Sequence, residues 1–333
     1  MDPMIFTQAI PRLRVLETRL LDRTKLERMS EASSIDEVFK LLGETEYSNI
    51  VANIKKFEDY EEILSIELNR VYKSIYEISP VRSIVDVMSI KYDYHNLKVL
   101  IKGKYLNKDF SNLLIPVGRI ELSKLKNFIE TEYYRDFNKV MRKTLESVIK
   151  DFEEKKDPQN IDIIFDKGLY EELKELDKEI GDKFLHSYIT SLIDLTNLKT
   201  LLRVRKQNKG RDFFGNVMIL GGSIDKDKLF SLLTDAPENI STKLSYTNYK
   251  DILKIGIESY VKEGTSTVFE KLSEDYIMEL MKKAKYVSFG LEPIIAYIYA
   301  KETEIKLLRI IMVGKLNNIS EDLIKERLRE AYV

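Results

Sequence analysis

Apolar residues recur at every third or fourth position through most of this chain, with charged residues between them. Ile10, Leu13, Leu16 and Leu20 fall on one helical face, with Arg12, Arg14, Arg19 and Asp22 mostly elsewhere. The spacing predicts a first helix from about Pro11 to Met29, the proline suiting its first turn. Leu64, Leu68, Val71, Ile75 and Ile78 mark another long helix, closed by Ser79-Pro80. A third starts near Val81 and stops near Asn107. Joints are expected where the periodicity lapses, from Leu113 to Gly118 and from Gly210 to Gly215, continuing to Gly221-Gly222. Val217 to Leu220 is strand-like in composition, but it holds the same place in the pattern as the segment before Gly118, so both read as connectors. Lys155 to Gln159 reads as a solvated loop.

One of these helical stretches is written more than once. Asp93-Tyr94-His95-Asn96-Leu97-Lys98 returns as Asp194-Leu195-Thr196-Asn197-Leu198-Lys199, and again, worn, as Glu304-Ile305-Lys306-Leu307-Leu308-Arg309. A second cation follows six residues after the first in each copy, at Lys104, Arg205 and Lys315. A period of about a hundred residues points to three similar units rather than to a solenoid of short repeats. The expected architecture is all-α, with helical units at 1–112, 113–216 and 217–333 in a pseudo-threefold arrangement. A shorter element also repeats. It opens at Ser34, Arg119, Ser223 and Asn318, and ends on Tyr47, Tyr133 and Tyr332 in all but the Ser223 copy. Ser34 with Glu37, and Asn318 with Glu321, are spaced as a helix N-cap and its third-position acid; Ser223 can cap, and Arg119 cannot. The last copy either completes the third unit or packs beside the N-terminal helix.

A helix advances about 100° per residue, which sorts the motif into faces. Asp93 and Asn96 border the stripe of Leu97, Leu100 and Ile101, and Asp194 and Asn197 border that of Leu198, Leu201 and Leu202. A carboxylate or amide beside a leucine stripe must find partners or it costs stability on burial. Asp93, Asn96, Asp194, Asn197 and Glu304 are therefore expected to make polar contacts between helices that fix register. The competing reading is that the carboxylates converge on a ligand or ion. Lys98, Lys102, Lys199, Arg203 and Arg309 fall on the opposite side, either as solvated surface or as a basic ridge for an acidic partner.

Composition narrows the function classes. Charged residues make up 33% of the 333, yet the formal net charge is −1, which argues against a nucleic-acid binder. Few glycines and prolines, with abundant Leu, Ile, Lys and Glu, make helix-forming material. With no cysteine there are no disulfides or thiolate metal sites, which is compatible with a reducing cytosol. Met1 to Met4 lacks the basic and apolar regions of a signal peptide. The apolar run from Ile294 to Ala300 falls far short of the roughly 20 residues that cross a bilayer. His95 and His186 sit at unrelated places in their repeats, and no phosphate loop, dinucleotide fingerprint or nucleophile elbow is visible. No catalytic residue, cofactor or metal is expected.

The stretch Phe289 to Tyr297, continuing through Ala300-Lys301-Glu302, Arg309-Ile310-Ile311 and Gly314-Lys315 to Glu326–Val333, resembles the C subunit of archaeal and bacterial V/A-type ATPases, related to the d subunit of the eukaryotic vacuolar enzyme. The Asp-x-x-Asn-Leu-Lys copies and the length fit the same family; Leu307 departs from it, standing where Asn is expected. The resemblance implies a funnel-like, non-catalytic rotor subunit. It implies a place between the central stalk subunits D and F and the membrane proteolipid ring, on the cytoplasmic side. The task it implies is torque transmission between ATP hydrolysis or synthesis and ion transport. A generic helical adaptor is the alternative, and a helical isoprenoid synthase stands behind it, lacking an Asp-Asp-x-x-Asp run.

Overall fold

The structure, a computed structural model, describes residues 2–134 and 137–333. Among them every regular element is helical. In chain order the helices are α1 (Ala9–Glu17), α2 (Arg23–Glu31), α3 (Ile35–Leu42), α4 (Ser48–Val51), α5 (Tyr60–Ile78) and α6 (Arg82–Leu106). Then come α7 (Leu122–Thr131), α8 (Lys139–Lys155), α9 (Pro158–Ile180), α10 (Lys183–Lys206), α11 (Arg211–Val217) and α12 (Lys226–Thr234). The last are α13 (Asn239–Lys243), α14 (Lys250–Glu263), α15 (Thr267–Lys282), α16 (Glu292–Leu316) and α17 (Glu321–Arg327). Packing gathers them into two compact units, one from the described part of 1–88 with 274–333, the other from the described part of 89–273.

The first unit is organised around α16. Ile294, Ile295, Ala296, Tyr297, Ile298, Ala300, Ile305, Leu307, Leu308, Ile311 and Met312 are all buried and lie on most sides of it, with Arg309 exposed, so this helix is enclosed by its neighbours over most of its surface. The helices α1, α2, α3, α5 and α17 pack against it. The single helix expected over 11–29 is instead two, α1 and α2, separated at Thr18–Asp22. Asp22 accepts from the Lys25 amide at 2.8 Å and starts a new helix, while the buried Leu20 and Leu21 turn the chain inward. The final short helix α17 packs on both α16 and α2, with Lys325 reaching Glu31 at 2.7 Å. Its cap is Ser320, and Asn318 lies outside in the left-handed region at φ 53°. The expected Asn318 cap is thus displaced by two residues, because Asn318 ends the turn after α16.

The second unit is organised around α10, whose Leu185, Ile189, Ile193, Leu198, Leu201 and Leu202 are buried. α8 and α9 form a hairpin beside it. Lys156 closes α8 in the left-handed conformation, Asp157 caps α9, and Pro158 occupies the first turn. Ser223 does not cap α12. Asp225 does, accepting from the Asp227 and Lys228 amides at 2.8 and 3.2 Å, and Ser223 is used elsewhere. The joint expected from Gly210 to Gly215 is instead helical from Arg211 on, since α11 runs through it and takes in Val217, and only 218–220 of the expected connector are non-helical.

Candidate functional site

The repeated motif builds the same clasp in different parts of the chain. In the second unit Asp194 is fully buried on α10. Its carboxylate accepts from the amides of Ser223 and Ile224, both at 3.1 Å, from the Ser223 hydroxyl at 2.5 Å and from the Tyr249 hydroxyl at 3.0 Å. One turn on, Asn197 pairs with both backbone groups of Ile219, donating at 2.7 Å and accepting at 2.9 Å. Further along α10, Arg205 donates to the carbonyls of Leu232, Leu233 and Asp235, where α12 ends. Acid, amide and cation thus dock the connector, the start of α12 and its end.

α6 repeats this geometry. Asn96 pairs with both backbone groups of Ile115 at 2.8 Å. Asp93 accepts from the Ile120 amide at 3.1 Å, and Lys104 meets Glu132 at 2.6 Å just past α7. Here Arg119 replaces the hydroxyl donors. It binds Asp93 at 2.9 Å and the buried Glu172 at 2.7 Å. Glu172 also accepts from the Tyr94 hydroxyl at 2.8 Å and from the Asn138 amide. Burial pushes the Asp93 carboxyl above its usual value, against the pull of Arg119 and the Ile120 amide. Burial works to lower the Arg119 guanidinium, but Glu172 and Asp93 outweigh it and keep it charged.

On α16 the acid is Glu304, one methylene longer. It accepts from the Leu21 amide at 2.6 Å, from the fully buried Tyr47 hydroxyl at 2.7 Å and from Lys301 at 2.7 Å. Leu21, Ile120 and Ile224 are therefore equivalent donors. Lys301 also meets Glu67 at 2.9 Å, and Glu67 is held by Arg70 at 2.7 and 2.8 Å. Burial acts to lower the Lys301 ammonium, yet Glu304 and Glu67 raise it above the usual lysine range. Leu307 stands at the asparagine position for a physical reason. Ile115 and Ile219 lie five residues before Ile120 and Ile224, outside any helix, so their backbone groups need a side-chain partner. Five before Leu21 is Leu16, in the last turn of α1, whose carbonyl accepts from the Arg19 amide at 3.1 Å in the turn that follows, so no side-chain partner is needed.

The outward cations have acidic neighbours within their own units. Lys98 pairs with Asp166, and Lys102 with Asp162 at 2.7 Å. Arg203 meets Glu270 at 2.9 Å, and Arg309 meets Glu61 at 2.7 Å. Lys199 adds its charge near Glu270. Burial works to raise Glu270, but the Ser266 hydroxyl, Arg203 and Lys199 hold it below its usual value. His95 lies 2.8 Å from the Leu113 carbonyl and His186 2.7 Å from Asp177.

Several members of the clasps escape a reading of the sequence. Tyr249 matches Tyr47, following a Thr-x-Tyr turn in which the threonine hydroxyl accepts from the tyrosine amide at 3.3 Å in both. The Ser223 copy of the short element therefore has its tyrosine after all, set further along the chain. Gly118 and Gly222 are matched too. A Cβ at either would stand 2.1 Å from the Oδ1 of Asp93 or Asp194, so only glycine lets the backbone reach the acid. Glu67, Lys301 and Glu172 carry no signal in a chain so rich in charges.

These contacts define an all-helical scaffold in which internally repeated acids hold connectors to long helices. The chain belongs to the ATP synthase (C/AC39) subunit family, whose model matches residues 9–327. It is 31% identical to the C subunit of the V-type sodium ATPase of Enterococcus hirae, over 99% of each chain. It is 28% identical to the C subunit of the A-type ATP synthase of Methanocaldococcus jannaschii, over 95% of this chain and 84% of that one. Identity to the corresponding A-type ATP synthase C subunit of Pyrococcus furiosus is 25%, over 96% and 89%. A chain of this family is a structural part of a rotary ATPase, not its catalytic one.

Proposed function

We propose that this chain is the socket of the rotor, joining the central stalk subunits D and F to the membrane proteolipid ring and passing torque between them. In this reading the units 1–112, 113–216 and 217–333 surround a pseudo-threefold axis in a funnel-like body on the cytoplasmic side of the membrane. Family membership over residues 9–327 carries the reading. The clasps support it physically. A part that transmits torque must not yield internally, and each long helix is fastened to its connector through buried, charge-assisted bonds. Among the described residues no helix is long and apolar enough to cross a membrane.

In the same reading Lys98, Lys102, Lys199, Arg203 and Arg309 are contacts to stalk or ring. Exposed ion pairs are worth about 0–1 kcal/mol, so an internal acid is readily exchanged for a partner's. Size-exclusion chromatography of the chain mixed with a purified D–F complex tests the placement, with co-elution expected. Separate elution at micromolar concentrations removes the socket reading. Charge reversal of Lys199 and Arg203 tests the ridge: unchanged assembly and unchanged salt sensitivity exclude it.

A further inference from the structure

Lys167, Glu171, Lys174 and Lys178 follow one another on α9 at helical spacing, so their stems rise from one face. The connector after α11 runs along that face, and two cavities open there, sharing Lys174. One, of about 170 Å³, has Lys167, Lys174 and Lys226 around Met218 and Leu220. The other, of about 660 Å³, continues past Lys174 to Lys178 and Lys183. Together they make a groove along α9 within the second unit.

The acids in this groove are already engaged. Glu171 pairs with Lys174 at 2.6 Å, Asp177 with His186 at 2.7 Å, and Asp182 caps α10 through the Phe184 amide at 2.8 Å. Among the described residues, Lys167, Lys178, Lys183 and Lys226 form no ion pair with a carboxylate. Burial, and after it the charge of Lys226, press the Lys167 ammonium below its usual value. At the lip stands Leu220, 57% exposed between the buried Ile219 and the clasped Ser223. The Asn197 and Asp194 bonds fix the connector on either side of it, so Leu220 is presented rigidly.

We propose that this groove docks an acidic segment of a partner protein, setting carboxylates against Lys167 and Lys226 and an apolar side chain against Leu220. It rests on the socket reading, because the expected partner is a neighbour in the rotor. A protein segment fits better than a lipid surface: the lysines ring concave cavities, which a flat headgroup layer meets only at their tips. Charges placed this way steer the encounter and fix register, and their effect falls with salt.

The test uses the full chain with Lys167→Glu and Lys226→Glu together, and a milder pair, Lys167→Gln and Lys226→Gln. Lys143→Glu with Lys150→Glu on α8 is the control, and circular dichroism checks the fold. Affinity for the purified D–F complex and for the detergent-solubilised proteolipid ring is measured at about 50 and 300 mM salt. The expected result is a loss of about tenfold or more toward one probe in the glutamate pair, a smaller loss in the glutamine pair, and a flattened salt dependence. Wild-type binding that both pairs retain in full overturns this inference and leaves the socket reading standing. Wild-type failure with both probes removes the two together. A loss confined to sedimentation with vesicles of anionic phospholipid assigns the groove to lipid and overturns the protein partner.

Discussion

Asp194→Ala is the sharpest perturbation of the scaffold. The carboxylate serves four donors: the Ser223 amide and hydroxyl, the Ile224 amide and the Tyr249 hydroxyl. Ser223 is at the surface, and water replaces the acid for both its groups at little cost. Ile224 and Tyr249 are buried at 5% and 4% exposure, so water does not reach their donors. Tyr249 keeps a weaker, 3.4 Å contact with the Ser191 hydroxyl. Bonds to a charged acceptor contribute about 1.5–3 kcal/mol each, so two such bonds give a loss of about 3–6 kcal/mol. That is a large part of the roughly 5–15 kcal/mol that stabilises a typical domain. Urea unfolding followed by far-ultraviolet circular dichroism reads the loss, since the chain has no tryptophan. Hydrogen exchange of the Ile224 amide locates it. Asp194→Asn keeps an acceptor for one donor and should lose about half as much. A loss below about 1 kcal/mol for Asp194→Ala, with the Ile224 amide still protected, would refute the argument that the carboxylate holds the connector.

The other predictions follow the same bonds. Gly118→Ala sets a methyl 2.1 Å from the Asp93 oxygen and should cost about 1–3 kcal/mol, measured by thermal melting, with Gly210→Ala, whose Cβ meets nothing within 4 Å, as the control. Leu307→Asn should destabilise by about 1–3 kcal/mol despite restoring the repeated motif, because the Leu16 carbonyl already accepts from the Arg19 amide; a neutral or stabilising result in urea unfolding counts against that explanation. Asp93 has a raised folded-state pKa, so its stabilising contribution is full at low pH and is lost as pH rises through that value. The stability of wild type relative to Asp93→Asn should therefore fall between acid and neutral pH, and urea midpoints across that range check the sign.

The long helices were legible because their signals are local. α5 and α6 follow their apolar spacing and the Ser79-Pro80 stop, whereas Pro158 and Gln159, expected in a solvated loop, are already the first turn of α9. The break between α1 and α2 was not, because the apolar spacing runs on through Leu16 and Leu20 while the turn depends on Glu304, far along the chain. Similar logic separates the clasp residues. Asp93 and Asp194 stand out because each sits beside a leucine stripe and recurs. Arg119, Glu172, Glu67 and Lys301 do not, since their burial is decided by helices packed from distant parts of the sequence. The cap at Asn318 failed for a local reason: its neighbour Ser320 competes for the same role, and spacing does not rank them.

The Glu304 clasp also sets a timetable. Its donors Leu21 and Tyr47 are made early, while the acid that receives them lies 283 and 257 positions later. The whole of 89–273 has been synthesised before Glu304 and Lys301 exist. Until then Glu67 lacks its buried lysine, and α1, α2, α3 and α5 lack the helix around which they pack. The middle of the chain is thus free to fold on the ribosome first, and the segment that carries Leu21 and Tyr47 is sealed only once α16 has been made. A chain cut short before Glu304 leaves its own beginning undone.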